Sequence, residues 1–161
     1  MLGRLRQLLV ARPVTGQRAT IAFAVRLGAG AVFIAFGAAK FATHASEVDS
    51  FQTYGLPFPD AFVYAIGVLE LLGGALLIAG LATRLAAAVL AGDMVGAVVV
   101  SGILQGEAIS LTLAPAQLAA MIDLLRTGPG AHALARRLER EARRPEARPD
   151  GAARPHLVSS S

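Results

Sequence analysis

The sequence predicts an all-α membrane protein, a bundle of four transmembrane helices with both termini in the cytoplasm. Three apolar runs of about twenty residues and a weaker fourth fit the roughly 30 Å hydrocarbon core of a bilayer. Charged residues make up only 16% of the chain, against about 25% in soluble domains. The charges are also segregated. Residues 1–18 hold four arginines and no acid, 19–125 hold three bases and seven acids, and 126–161 hold eight arginines and four acids.

The first run, 19–41, is interrupted only by Arg26 and Lys40. The second, 61–81, has Glu70 at its middle, and the third, 85–104, has Asp93 near its middle. The fourth, 109–125, contains Pro115, Gln117 and Asp123, with the proline near its start, where a missing N–H costs least. A soluble bundle would need a polar stripe on each helix, whereas 75–82 and 85–91 are apolar all round.

Loop charges set the expected orientation. With the N-terminus inside, the first eighteen residues, Arg84 and the arginine-rich tail are cytoplasmic, while Glu47, Asp49, Asp60 and Glu107 are outside. The chain has no cysteine, so single Ser46→Cys and Ser159→Cys variants can be labelled without background. Ser46→Cys is expected to react with an impermeant reagent on intact cells. Labelling of Ser159→Cys under the same conditions would sink the orientation.

Residues 1–18 alternate leucine with arginine and form no sustained apolar core, so they read as a basic amphipathic helix on the inner leaflet rather than a signal peptide. Residues 131–144 form a similar patch, and the proline- and serine-containing remainder of the 126–161 tail reads as largely disordered. Attraction to anionic lipid accounts for these arginines without a specific partner or nucleic acid.

Charges at membrane depth are costly and need a reason. At about 1.5 Å per residue, Arg26, Asp93 and Glu70 lie roughly 10, 12 and 16 Å from the inner boundary, with Gln117 near the same level. They form an intramembrane polar layer in which one base faces two acids. The layer is either a buried ion pair that fixes helix register or a pocket with a titratable carboxyl. Two acids sharing one base cannot both stay ionised cheaply. Glu70 is the candidate for the protonated, ligand-facing acid, because Asp93 matches Arg26 more closely in depth. Which acid Arg26 faces is left open.

Helical spacing puts Arg26, Gly30, Phe33, Gly37 and Lys40 on one face, Gly67, Glu70 and Gly74 on another, and Ala88, Gly92 and Gly96 on a third. Small residues at such spacing read as packing seams. The apolar loop 41–59 reads either as a cap folded over the bundle mouth at 55–59 or as part of an aromatic interfacial belt.

Without cysteine, disulfides, thiolate nucleophiles, Fe–S clusters and Cys-type zinc sites are excluded. The histidines, His44, His132 and His156, all lie outside the apolar runs, so no pair can ligate haem within the bilayer. No catalytic residue and no metal site is expected, and the chain reads as not catalytic alone.

Five stretches in order carry a family resemblance: Arg26-Leu27-Gly28, Phe36-Gly37-Ala38-Ala39-Lys40, Gly55-Leu56-Pro57, Leu69-Glu70-Leu71-Leu72-Gly73-Gly74 and Gly80-Leu81-Ala82-Thr83-Arg84-Leu85. Together they resemble the DoxX family of four-helix bacterial membrane proteins. The family's typical polar positions fall on Arg26, Lys40, Glu70 and Arg84, and its loop proline on Pro57. The resemblance implies a multi-pass protein of the bacterial inner membrane. Relatives include a thiosulfate:quinone oxidoreductase subunit and membrane anchors of redox-homeostasis complexes. The resulting expectation is a non-catalytic subunit or anchor of a redox complex, with a redox protein as partner and a quinone- or lipid-sized pocket. The competing reading is a carrier of a small molecule or lipid that uses the Arg26, Glu70 and Asp93 layer.

Overall fold

In the computed structural model, residues 16–130 are described. The basic N-terminal stretch up to residue 15 and the tail from residue 131, with His132, His156 and the Ser159 labelling site, lie outside them. The described chain is helical: α1 (Gln17–Ala42), α2 (His44–Thr53), α3 (Pro59–Ala79), α4 (Thr83–Gly96), a π-helical continuation of α4 (Ala97–Leu104), and α5 (Ala108–Thr127).

Four of these helical units, of 26, 21, 22 and 20 residues, are long and apolar enough to cross a membrane, the third being α4 with its π continuation. At 1.5 Å per residue even the shortest spans about 30 Å, the thickness of the hydrocarbon core. The interior is filled by small and medium residues such as Ala22, Ala87, Leu77 and Leu90, while Leu72, Leu85 and Ile103 are each more than 60% exposed. A shell of large apolar side chains around a small-residue core is the reverse of a soluble bundle and requires lipid around it. The protein is an all-helical membrane protein.

The four spans run up and down, so the first and last described residues share one end, here the basal end. There a Cβ on Gly130 would meet the Ala19 carbonyl at 2.8 Å, and Arg84 Nη2 donates to the Arg126 carbonyl at 3.4 Å. The basal turn between α3 and α4 closes at Gly80, whose positive φ of 70° lets its own N–H and that of Leu81 cap the carbonyls of Leu77 and Leu76.

The tightest seam joins α1 to α3. A Cβ on Gly74 would sit 2.7 Å from the Gly30 carbonyl, and one on Gly37 would sit 2.9 Å from that of Gly67. Two backbones approach this closely only where side chains are missing. The pairs also fix the antiparallel register, with Gly30 level with Gly74 and Gly37 with Gly67. Gly73 against Leu90 fixes α3 against α4 and sets Glu70 level with Asp93.

The seam expected on α4 is not used. Ala88, Gly92 and Gly96 are exposed, and a Cβ on either glycine would meet nothing within 4 Å. Contact instead falls to Ala86, Ala87, Leu90 and Met94, all buried. Pro115 is the other revision. Because α5 begins at Ala108, the proline stands inside the helix rather than in its first turn, and it leaves the Leu111 carbonyl without its helical donor.

The opposite end is capped. The loop after α1 forms α2, a short helix the sequence reading did not anticipate. It is clamped at its start, where His44 Nε2 lies 2.8 Å from Asp60 Oδ1 and the His44 ring lies 4.3 Å from that of Tyr64. Phe51 is buried beneath it and packs on Tyr54 at 5.9 Å.

Candidate functional site

Below the cap, α1, α3, α4 with its π continuation, and α5 line a partly open cavity of about 440 Å³. Its floor is polar, formed by Lys40, Glu70, Asp93 and Gln117. Glu70 is eleven residues from the capped end of α3 and Gln117 nine from that of α5. Both therefore lie about 15 Å deep, close to the bilayer midplane. Glu47, Tyr54, Ser101, Glu107 and Ser110 line the upper part. Phe33, Phe36, Phe51 and Phe62 contribute aromatic wall.

One ion pair anchors the floor. Lys40 Nζ lies 3.1 Å from Glu70 Oε2 and donates to Oε1 at 3.4 Å, with side chains only 13% and 5% exposed. By backbone position the two look mismatched, because Lys40 is two residues from the end of α1 and Glu70 is mid-helix. Helical side chains tilt toward their own N-terminus. On antiparallel α1 and α3 the Lys40 stem therefore descends and the Glu70 carboxyl rises, and the two meet.

The same tilt carries Arg26 away from the layer assigned to it. Arg26 is 1% exposed but points toward the basal end, where Nη1 donates to the Pro129 carbonyl at 2.6 Å and the guanidinium lies 5.1 Å from the Phe23 ring centroid. It does not line the cavity and pairs with neither acid. It ties the segment after α5 to α1. Arg26→Gln and Asp93→Asn are accordingly expected to be additive to within about 0.5 kcal/mol in a double-mutant cycle of detergent unfolding. A coupling above about 1 kcal/mol would restore the direct pair.

Of the residues singled out from sequence, the structure gathers Glu70, Asp93 and Gln117 in the cavity and adds Lys40. Arg84 stays at the basal turn, and Pro57 is exposed in the loop before α3. The assignment of Glu70 as the ligand-facing acid shifts, since Glu70 is held by Lys40 while Asp93 Oδ2 is buried with no hydrogen-bond partner. Glu47 and Glu107 are loop acids by sequence and Ser101 and Ser110 carry no sequence signal; the α2 cap brings Glu47 to the cavity, the π segment Ser101, and the start of α5 Glu107 and Ser110. A π-helical stretch is rare and often marks a functional site, and here it supplies Ala97, Val100 and Ser101 to the wall.

No group of three or more His, Cys, Asp or Glu is placed to hold a metal ion among the described residues. The arrangement suits retention of a small amphipathic molecule, with apolar walls and a few convergent polar groups.

Comparison with known proteins agrees with this architecture. The DoxX family model matches residues 21–102. An uncharacterized membrane protein of Mycobacterium tuberculosis is 35% identical over 133 residues, which is 73% of this chain and 81% of that protein. A Bacillus subtilis protein named "Putative oxidoreductase CatD" is 33% identical over 75 residues, 47% of this chain and 54% of its own length. No solved structure matches significantly.

Proposed function

The chain belongs to the DoxX family of membrane proteins, and from that premise we propose that it is a non-catalytic membrane component of an oxidoreductase system in the bacterial inner membrane. In this reading it supports a redox partner and holds a quinone-sized molecule in its cavity. The observation that carries the reading is the partly open cavity with a polar floor near the midplane. The name of the B. subtilis relative supports the redox context, and the bacterial origin of both relatives supports the location.

The chain has no cysteine, so electrons must be carried by a ligand or a partner. A quinone ring fits a space of about 440 Å³ with aromatic walls. Gln117, which faces the cavity, would donate its amide N–H to a ring carbonyl, and the Lys40–Glu70 pair would border the other side of the ring. A bound quinone supplies two-electron, two-proton chemistry. The carboxyl groups of Glu70 and Asp93 can hold protons beside it.

Purification of the full chain in mild detergent tests this, with an ultraviolet–visible spectrum and mass spectrometry of everything retained. A stoichiometric redox protein or quinone is the expected result. A colourless bundle that carries only bulk lipid would overturn it.

A further inference from the structure

One lysine and four carboxylic acids line the cavity: Lys40 from α1, Glu47 from α2, Glu70 from α3, Asp93 from α4 and Glu107 just before α5. The lysine is committed to Glu70 at 3.1 Å. Glu107 accepts a hydrogen bond from Ser110 at 2.6 Å, which satisfies one lone pair but adds no positive charge. One lysine, within electrostatic reach of Asp93 as well as paired to Glu70, thus serves a cavity lined by four carboxyl groups, of which Glu47 is half-buried and Glu107 exposed.

A separate observation at the floor points to a ligand. Gln117 is 6% exposed and faces the same space, and its amide hydrogen-bonds to nothing among the described residues. Nearby, Asp93 Oδ2 is buried without a partner. Buried polar atoms are nearly always paired. An unpaired carboxylate oxygen and an unpaired amide lining one cavity are therefore the atoms a bound group would reach.

We infer that the cavity binds an organic cation, an alkyl- or arylammonium whose charged head sits between Asp93 and the Gln117 carbonyl. The charge requirement follows from the excess of carboxyl groups, because an acid at membrane depth is stabilised most by a fixed opposite charge. The organic requirement follows from the walls. Phe33, Phe36, Phe51, Phe62 and Tyr54 offer ring faces to a cation and apolar area to its substituents. A hydrated inorganic ion would use neither. The inference goes beyond the redox reading and does not rest on it. It concerns what the cavity itself selects: a cation seated between Asp93 and Gln117 would take the place proposed above for a quinone, while the redox partner is tested separately.

Phenyltrimethylammonium and its uncharged isostere tert-butylbenzene separate charge from shape. Each would be titrated calorimetrically into the full chain in a non-ionic detergent, with empty micelles as the blank. The cation is expected to bind saturably, one per chain, and about tenfold or more tighter than the isostere. Asp93→Asn is expected to weaken the cation about tenfold and leave tert-butylbenzene unchanged. Equal affinity of the two molecules on the native chain, or no saturable binding of the cation, overturns the proposal without need of any variant. A folded Asp93→Asn chain that binds the cation as tightly as the native one overturns the assignment to Asp93.

Discussion

Gly74→Val is expected to unseat α1 from α3 and to destabilise the bundle by about 3 kcal/mol or more, at the upper end of overpacking costs. A Cβ at that position would lie 2.7 Å from the Gly30 carbonyl, with the Ile34 side chain at 2.9 Å and its backbone nitrogen at 3.1 Å. Two of these three neighbours are main chain, so no rotamer change relieves the clash. The Gly30 side of the seam is as tight, with the Gly74 carbonyl at 2.9 Å, so α1 cannot slide to make room without losing the Gly37–Gly67 contact as well. Gly92→Ala is the paired control. That position is exposed with nothing within 4 Å, and alanine there is expected to gain about 0.5–1 kcal/mol through helix propensity. Unfolding in mixed detergent and SDS, followed by circular dichroism, reads both. A Gly74→Val chain as stable as the native one would mean that the α1–α3 register is wrong.

The second large effect belongs to the floor of the cavity. Lys40→Met removes the base from a carboxyl group that is almost wholly buried, and breaking such a pair from one side costs about 3–5 kcal/mol. Replacing both partners, Lys40→Met with Glu70→Met, is expected to recover most of that loss, because two apolar side chains of similar length fill the space with no orphaned charge. Glu70→Met alone leaves the lysine exposed to the remaining cavity acids, so its cost should be the smaller of the two single changes. A double variant no more stable than Lys40→Met alone would show that the pair is not what holds Glu70.

These expectations also mark where the sequence was informative. The four spans were legible because length and hydropathy report on lipid contact residue by residue, and the observed ends fall within two residues of the apolar runs. The buried faces of α1 and α3 were legible for a similar reason: Gly30, Gly37, Gly67 and Gly74 repeat at helical spacing, and the structure buries them. The same pattern misled on α4, where Gly92 and Gly96 are exposed and pack against no neighbouring helix, since small residues permit close packing without requiring it. Depth arithmetic on backbone positions brought Glu70, Asp93 and Gln117 to one level but misplaced Arg26 and gave no reason to include Lys40. Lysine and arginine side chains reach several ångströms from the backbone, and their direction depends on which way the helix runs. Lys40 and Arg26 share a helix and tilt the same way, so the one that starts too high reaches Glu70 and the one that starts too low leaves it. The cap was half legible, since its apolar residues were conspicuous but the helix His44–Thr53 has little hydrophobic patterning to announce it.

The eight-residue π-helical stretch after Gly96 has a bearing on how such cavities diverge. Its i→i+5 bonding accommodates extra chain that an α-helix of the same height would not hold. Loss of one residue between 97 and 104 would let the stretch tighten toward ordinary α-helix, so that the flanking turns keep their faces and only residues within the stretch are re-aimed. The stretch's contribution to the cavity wall, Ala97, Val100 and Ser101, would then change, while Lys40, Glu70, Asp93 and Gln117 stayed where they are. The ligand range of such a protein could therefore be remodelled by a single insertion or deletion, with every charged position retained.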